Sequence, residues 1–249
     1  MTAAGRPILW QYNFSNFNEK ARWALDFKQL THERRSLLPG FPRAMAFSAR
    51  GTLPVLDLDR ERIMDSTRII EALERHAPAH PLYPFDEAER ERALKLEEFF
   101  DEEAGHDMRR VAFWELRDDP GYMASFMATE QGSAARTALR AGMPIAWQVV
   151  KRRYDFSESE FQRSQAALLT ALDRIEVERR GGDHLVDNRF TVADLTAAAL
   201  LFPLAWPDEL QYAYPEPPRS EFRESVRDHP AVSWIAETYR RHRGRSAAV

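Results

Sequence analysis

Residues 190–201 read FTVADLTAAALL, and this stretch largely decides how the second half of the chain folds. Thr191 followed three positions later by Asp194 is a capping-box pattern, in which the two residues satisfy each other's backbone N–H groups at the start of a helix. The residues that follow are apolar on nearly every side of a helix, and such a helix is a buried one. The pattern predicts a buried helix over about 191–204.

The segments around this helix also have helical spacing, from about residue 86 onward. The first of them, at 86–118, is longer than most globular helices and contains Gly105, so we expect a bent or broken helix there. Further helices are predicted at roughly 121–154, 157–180 and 230–242. The second half of the chain is therefore predicted to be all-helical.

The first part of the chain alternates between strand-like and helical patterns. An apolar run at 6–14 predicts a strand. Asn16, with Glu19 three positions later, is a capping-box pattern that opens a helix over about 17–30. Short strand-like segments and a second helix, STRIIEALERHA, complete the order β-α-β-β-β-α.

A connecting segment separates these two patterns. Residues 77–84 read APAHPLYP, with three prolines in eight positions. Proline disfavours both helix interiors and central strands, so clustered prolines indicate a linker. We predict two domains, 1–84 and 86–249, with the linker at about 77–85.

The composition excludes several kinds of protein. The chain has 249 residues, a formal charge of −4 and 44% hydrophobic residues, which are ordinary values for a globular domain and argue against disorder or nucleic-acid binding. It contains no cysteine and cannot supply a disulfide, a nucleophilic sulfur or a thiolate ligand. Any thiol chemistry must therefore use the thiol of a bound molecule.

Two further absences shape the expectations. No apolar stretch is long enough to span a bilayer, and the N-terminus lacks a signal-peptide core, which predicts a cytoplasmic protein with no membrane partner. His76 and His80 are four positions apart, but Pro78 prevents a regular helical ligand pair. No metal site is expected.

Four features occur in order along the whole chain. They are Ser15 with KARWAL five residues later, Leu53-Pro54 before an apolar strand, Asp65-Ser66 at the start of a helix, and FTVADLTAAALL in the helical half. With this set the sequence resembles a glutathione transferase. The resemblance implies an α/β thioredoxin-like N-terminal domain that binds glutathione, plus an all-α C-terminal domain that forms the second-substrate pocket.

The resemblance also implies an activity. Glutathione would be a co-substrate, with no cofactor bound permanently, and its activated thiol would add to, or substitute on, a small hydrophobic electrophile. A homodimer and a detoxifying role are expected. The alternative is a non-catalytic binding or interaction protein, because members of the family also serve as interaction modules and the SNFN turn at 15–18 departs from the family pattern. The sequence leaves open which thiol the host supplies.

Two dipeptides are expected to hold the tripeptide. Asp65 supplies an acid for the γ-glutamyl ammonium, and Ser66 supplies a hydroxyl and an N–H for the adjoining carboxylate. The simpler interpretation is that these residues only cap the helix, and capping and binding can coexist. The resemblance implies a cis bond at Leu53-Pro54 that lets the backbone pair with the cysteinyl part. Arg50 is the nearest candidate for the glycine carboxylate.

Ser15 is the candidate for activating the glutathione sulfur. It precedes the Asn16 cap and so lies beside the positive end of a helix dipole, where a hydroxyl can donate to a thiolate. A turn serine without a ligand is the simpler reading. Tyr12 is the alternative hydroxyl, since other branches of the family use a tyrosine on the first strand, and strand alternation places it on the same face as Phe14.

The segment 97–117 is expected to line the domain junction and face the second-substrate pocket. Much of its apolar spacing is typical of a core, and its acidic run is typical of a solvated face. Asp101 could reach the γ-glutamyl ammonium of a neighbouring subunit, as an acid does in some relatives. The candidate contacts to the second substrate are Phe100, His106, Arg109 and Trp114.

Overall fold

A computed structural model of the chain describes residues 6–38, 52–153 and 157–249. Within them, four short strands form one sheet in the order β2-β1-β3-β4. The central strand β1 is parallel to β2 and antiparallel to β3, and β4 is antiparallel to β3. The strands are β1 (Ile8–Gln11), β2 (Glu33–Ser36), β3 (Val55–Leu58) and β4 (Glu61–Met64).

Two helices accompany the sheet. A parallel strand pair needs a crossover connection, and α1 (Asn16–Phe27) supplies it between β1 and β2. The second, α2 (Ser66–His76), follows β4 and presents its apolar face to α1 and the sheet. This arrangement is the predicted thioredoxin-like α/β fold.

All described elements after residue 87 are helical, as predicted. The first two are joined by a π-helical turn at Phe100–Gly105, which accounts for the predicted break. The helices are α3 (Glu87–Phe99), α4 (His106–Glu115), α5 (Pro120–Met127), α6 (Ser133–Arg153), α7 (Glu158–Arg179), α8 (Val192–Ala205), α9 (Glu221–Val226) and α10 (Pro230–His242).

The buried helix α8 packs against α1, α3, α10 and the π-helical turn, and so joins the two halves of the chain. Its predicted capping box is present. Asp194 accepts hydrogen bonds from the backbone N–H of Thr191 at 2.9 Å and of Leu185 at 2.8 Å, and its carboxylate is fully buried. Burial raises the pKa of Asp194 to about 7, although these hydrogen bonds act in the opposite direction.

Gly105 permits a close approach of three elements at the π-helical turn. A Cβ atom at this position would lie 2.8 Å from Cζ of Phe17 in α1 and 3.0 Å from Cδ1 of Leu200 in α8. The absence of a side chain therefore brings α1 and α8 together behind the functional site.

The capping box predicted at Asn16 and Glu19 is wrong. Ser15 is the residue before the first helical turn, and Asn16 already belongs to α1. The Asn16 amide donates to the carbonyl oxygens of Gly105 at 3.2 Å and Leu200 at 3.1 Å. The buried Glu19 carboxylate pairs with Arg22 and Arg243. The expected reciprocal cap is thus replaced by the Arg22 contact one turn later and by partners distant in sequence.

The single helix predicted over 121–154 is also wrong, because α5 and α6 are separate. The chain turns between them at Glu130, whose φ of 62° lies in the left-handed region. The short α9 was not predicted. Of these helices, α5 and α9 contribute side chains to the wall of the aromatic pocket that is described below.

Candidate functional site

Two adjoining pockets lie beside the end of β1 and the start of α2. The polar pocket has a volume of about 1030 Å³, and the aromatic pocket has one of about 310 Å³. Thr52, Leu53 and Arg109 line both, so molecules bound in the two pockets would meet at this boundary. The polar pocket includes Leu53, Pro54, Asp65, Ser66, Asp101 and His106, and the aromatic pocket includes Tyr12, Phe14, Ser15, Phe126, Phe202 and Trp206.

The loop before β3 forms one wall of the polar pocket. The Leu53–Pro54 peptide bond is cis, as the resemblance implies. The buried side chain of Asn18 joins this loop to the end of β1. Its Nδ2 donates to the Leu53 carbonyl at 3.2 Å, and its Oδ1 accepts from the Tyr12 N–H at 3.2 Å. Asn18 therefore fixes the position of Leu53 relative to the turn that carries Ser15.

The start of α2 forms the opposite wall. Asp65 caps this helix, and its Oδ1 accepts from the N–H groups of Thr67 at 3.0 Å and Arg68 at 3.2 Å. Its φ of 83° and ψ of 135° lie in a region that residues other than glycine rarely adopt, and such strain is concentrated at functional sites. Ser66 is buried, and its Oγ has no hydrogen-bond partner among the described residues. A bound ligand would satisfy this hydroxyl.

A buried ion network holds the start of α2 against the helices. The Nζ of Lys20 lies 2.6 Å from Oδ1 of Asp101, 2.9 Å from Oε1 of Glu97 and 2.8 Å from Oγ1 of Thr67. Burial lowers the pKa of Lys20, but the two carboxylates outweigh this effect and raise it overall. Lys20 therefore remains charged and positions Asp101 within the lining of its own chain's polar pocket.

Ser15 lies in the lining of the aromatic pocket, at the N-terminus of α1. Its hydroxyl makes no capping hydrogen bond to the helix. Because α1 begins at Asn16, the hydroxyl lies beside the unpaired N–H groups that carry the positive end of the helix dipole. This placement suits a group that stabilises an anion at the boundary of the two pockets.

Tyr12, the alternative hydroxyl, lines the same pocket. Its ring stacks on that of Phe14, with the centroids 5.5 Å apart, which agrees with the expectation that the two share a face. The Tyr12 carbonyl accepts from the Ser15 N–H at 3.3 Å. Both candidate residues therefore belong to one turn and line the aromatic pocket.

The candidates on 97–117 are dispersed. Arg109 lines both pockets, and His106 lines only the polar one. Burial and the neighbouring Arg109 lower the pKa of His106, whose Nδ1 lies 2.8 Å from Nη2 of Arg109. Phe100 is fully buried in the core, and Trp114 stacks on Phe161 with the ring centroids 5.3 Å apart. Neither of these two lines either pocket, so they are not the expected contacts to a second substrate, and the burial of Phe100 agrees with the core spacing of this segment.

Arg50, the candidate for the glycine carboxylate, lies outside the described residues. The described lining of the polar pocket contains four other cations, on β4, α2 and α4, of which Arg62 already pairs with Asp57 at 2.7 Å. They are Arg62, Arg68, Arg75 and Arg109.

The segment 206–220 covers the aromatic pocket, and it has no strand or helix periodicity that would predict this position. The Tyr214 hydroxyl donates to the carbonyl of Asn13 at 2.6 Å, and the Tyr122 hydroxyl donates to the carbonyl of Pro215 at 3.3 Å. The segment is thereby attached to the turn that carries Ser15. Its tyrosines and prolines, in YAYPEPP, are the signal that could have found it.

Two other kinds of site are absent from the part of the chain that the structure describes. No group of three or more histidine or acidic side chains is arranged to hold a metal ion. None of the described helices combines the length and the hydropathy needed to cross a membrane.

Comparisons with known proteins match both halves of the chain. The glutathione S-transferase N-terminal domain matches residues 9–81, and the glutathione S-transferase C-terminal domain matches residues 140–227. Comparison with curated protein sequences finds no match.

Several solved structures share the fold. The β-etherase LigF from Sphingobium sp. strain SYK-6 is similar at a TM-score of 0.71 and 18% identity, covering 98% of this chain and 97% of that one. A glutathione S-transferase from Methylobacillus flagellatus with glutathione bound has a TM-score of 0.61, 20% identity and coverages of 95% and 98%. One from Methylobacterium radiotolerans, in complex with glutathione sulfonate, has a TM-score of 0.61, 20% identity and coverages of 96% and 94%.

Proposed function

Since the chain belongs to the glutathione S-transferase family, we propose that it binds glutathione in the polar pocket and transfers the thiol to an electrophile in the aromatic pocket. The division into domains 1–84 and 86–249, a homodimer, a cytoplasmic location and a detoxifying role are parts of the same proposal. The observation that carries the activity is the position of Ser15. It lies at a helix N-terminus in an apolar pocket that meets the polar pocket at Leu53.

The polar pocket suits the charged ends of glutathione. The γ-glutamyl end carries an ammonium and a carboxylate. Asp65 and Asp101 would attract the ammonium, while the Ser66 hydroxyl and the N-terminus of α2 would bind the carboxylate. The cysteinyl backbone would form hydrogen bonds with the backbone of Leu53. This pairing would direct the sulfur toward Ser15. The glycine carboxylate would take one of the arginines of the lining, or Arg50.

The chemistry is a nucleophilic attack by sulfur. The glutathione thiol loses its proton to solvent, Ser15 donates a hydrogen bond to the thiolate, and the sulfur forms a bond to an electrophilic carbon of the acceptor. In a substitution the leaving group departs with the electron pair of the broken bond, and in an addition the acceptor takes up a proton. One structural neighbour is named a β-etherase, so activated aryl ethers belong beside aryl halides among the acceptors to be tried.

The contribution of thiol activation is limited. A thiol of pKa about 8.5 is roughly 3% ionised at pH 7, and lowering the pKa to about 6.5 raises this to roughly 75%. The less basic thiolate is intrinsically slower by about 6- to 10-fold, so the net gain is only about 2- to 4-fold. Holding thiol and acceptor together at the boundary of the two pockets should contribute the larger share.

Ser15→Ala is therefore expected to move the pH–rate profile upward by about one to two units, with glutathione affinity little changed and activity largely recovered near pH 9. The measurement is kcat/KM against pH with an aromatic halide as acceptor. Tyr12→Phe is the matched variant. If it shifts the profile while Ser15→Ala does not, Tyr12 is the sulfur partner and the assignment to Ser15 is wrong.

Binding and turnover together test the activity itself. The protein should be retained on immobilised glutathione, elute with free glutathione, and transfer glutathione to an aromatic halide. Loss of both retention and transfer would contradict the proposal and support the non-catalytic alternative. Retention without transfer to any halide or aryl ether would leave glutathione binding standing but contradict the transferase activity.

A further inference from the structure

We propose that the acceptor bound in the aromatic pocket is a planar aromatic molecule that carries a carboxylate group. The proposal rests on the transferase function proposed above and names the class of its second substrate. The ring would lie against the aromatic walls of the pocket, and the carboxylate would bind Arg219 and Arg223.

The walls of the pocket form a continuous aromatic surface. The ring of Phe126 is its centre, with the centroids of Phe14, Tyr122 and Trp206 at 5.8, 6.0 and 6.1 Å. Aromatic rings prefer stacked or tilted contacts at centroid distances of about 4.5–7 Å, so a planar ring of the acceptor would find such contacts in this surface. A volume of about 310 Å³ suits a small ring system rather than an extended chain.

The charges in this lining are mainly positive. Arg109, Arg219 and Arg223 contribute guanidinium groups, against a single carboxylate, that of Glu115. Glu115 is engaged in the fold, because its Oε1 accepts from the Ser220 hydroxyl at 2.7 Å and from the Phe222 N–H at 3.3 Å. An anionic acceptor would balance the excess of positive charge.

Arg219 and Arg223 are available to such an anion. Among the described residues, no carboxylate lies within ion-pair distance of either guanidinium, and Arg223 donates one hydrogen bond, to the Pro218 carbonyl at 3.1 Å. The positive charge of Arg223 acts on Tyr122 in the wall of the pocket. Burial raises the pKa of Tyr122 to about 12, and Arg223 acts in the opposite direction. The planar guanidinium fork matches the geometry of a carboxylate.

The two arginines serve the acceptor rather than glutathione. Arg109 lines both pockets, whereas Arg219 and Arg223 line only the aromatic one. The carboxylates of glutathione would have other partners, because Arg68, Arg75 and the start of α2 line only the polar pocket. A carboxylate on the acceptor is the remaining partner for this pair.

The test compares two ligands of similar shape that differ in one group, the charged carboxylate of 3,5-dinitrobenzoate and the neutral carboxamide of 3,5-dinitrobenzamide. Calorimetric titration, with and without glutathione, is expected to give tighter binding of the benzoate by about 5- to 10-fold, a typical effect of one charged hydrogen bond that is partly exposed. Arg223→Gln and the exposed Arg219→Gln should each remove most of this preference and change benzamide binding less than about 2-fold.

Arg227→Gln is the matched control, since Arg227 follows α9 but faces solvent and pairs with Glu224 at 3.6 Å. It should leave the preference unchanged. Equal affinity for the two ligands, or equal losses for both in Arg223→Gln and Arg219→Gln, would overturn the proposal. Turnover of 1-chloro-2,4-dinitrobenzene with glutathione is measured separately. If turnover is absent but the preference for the benzoate is intact, the result would contradict the transferase function and not the carboxylate site at Arg219 and Arg223.

Discussion

Asp194→Ala is expected to lower the free energy of unfolding by about 3–5 kcal/mol. The carboxylate accepts hydrogen bonds from the backbone N–H groups of Leu185 and Thr191 and from the Thr191 hydroxyl, all of them buried. Losing a helix cap costs about 0.5–2 kcal/mol, and each buried donor left without a partner adds about 1–3 kcal/mol. Because α8 packs against both halves of the chain, the loss should appear in the global transition, measured by urea denaturation.

Two variants make this prediction specific. Asp194→Asn keeps one acceptor oxygen and should cost less than Asp194→Ala. Asp228→Ala removes a carboxylate whose side chain is 96% exposed and should change the unfolding free energy by less than about 0.5 kcal/mol. Similar losses in Asp194→Ala and Asp228→Ala would show that the capping box does not stabilise the fold.

Ser66→Ala is expected to weaken glutathione binding by about 1–3 kcal/mol, or roughly 5- to 150-fold in Kd. The Ser66 hydroxyl is buried in the lining of the polar pocket and has no partner among the described residues. In the complex it would donate to the γ-glutamyl carboxylate, and alanine would leave that charge without its hydrogen bond. Calorimetric titration with glutathione measures the change.

The control is Ser133→Ala. Ser133 opens α6 as Ser66 opens α2, but it is exposed and lines neither pocket. The Ser133→Ala variant should bind glutathione with the same Kd as the unchanged protein. If Ser66→Ala also retains full affinity while its unfolding free energy is unchanged, the γ-glutamyl carboxylate binds elsewhere in the polar pocket.

The sequence predicted those features that depend on short patterns. The capping box of Thr191 and Asp194 and the burial of α8 follow from twelve adjacent residues, and the structure confirms both. The break near Gly105 could be predicted for the same reason. Asp65 and Ser66 were placed at a helix start, although their binding role rests on the family resemblance. The cis bond at Leu53–Pro54 likewise required the resemblance, because the local sequence does not favour it.

The environment of α1 required the tertiary structure. Asn16, Glu19 and Lys20 have the composition of a solvated or locally capped helix, yet all three are buried. Several of their partners are distant in sequence, since Asp101 lies 81 residues from Lys20 and Arg243 lies 224 residues from Glu19. A buried polar group must find a hydrogen bond, but no local rule states which distant residue supplies it.

The aromatic pocket shows the same limit at the functional site. The family resemblance placed Phe100 and Trp114 on the segment that faces the pocket, whereas the helical spacing of Phe100 already favoured the core position that it occupies. The wall opposite comes instead from 206–220, held by Tyr214 on the turn that carries Ser15. The sequence by itself determined the order of strands and helices and the burial of α8, because these depend on local patterns, and the family resemblance added the candidate residues of the polar pocket. The aromatic pocket was decided only by the tertiary structure, because its shape depends on how separate helices and a long connection pack together.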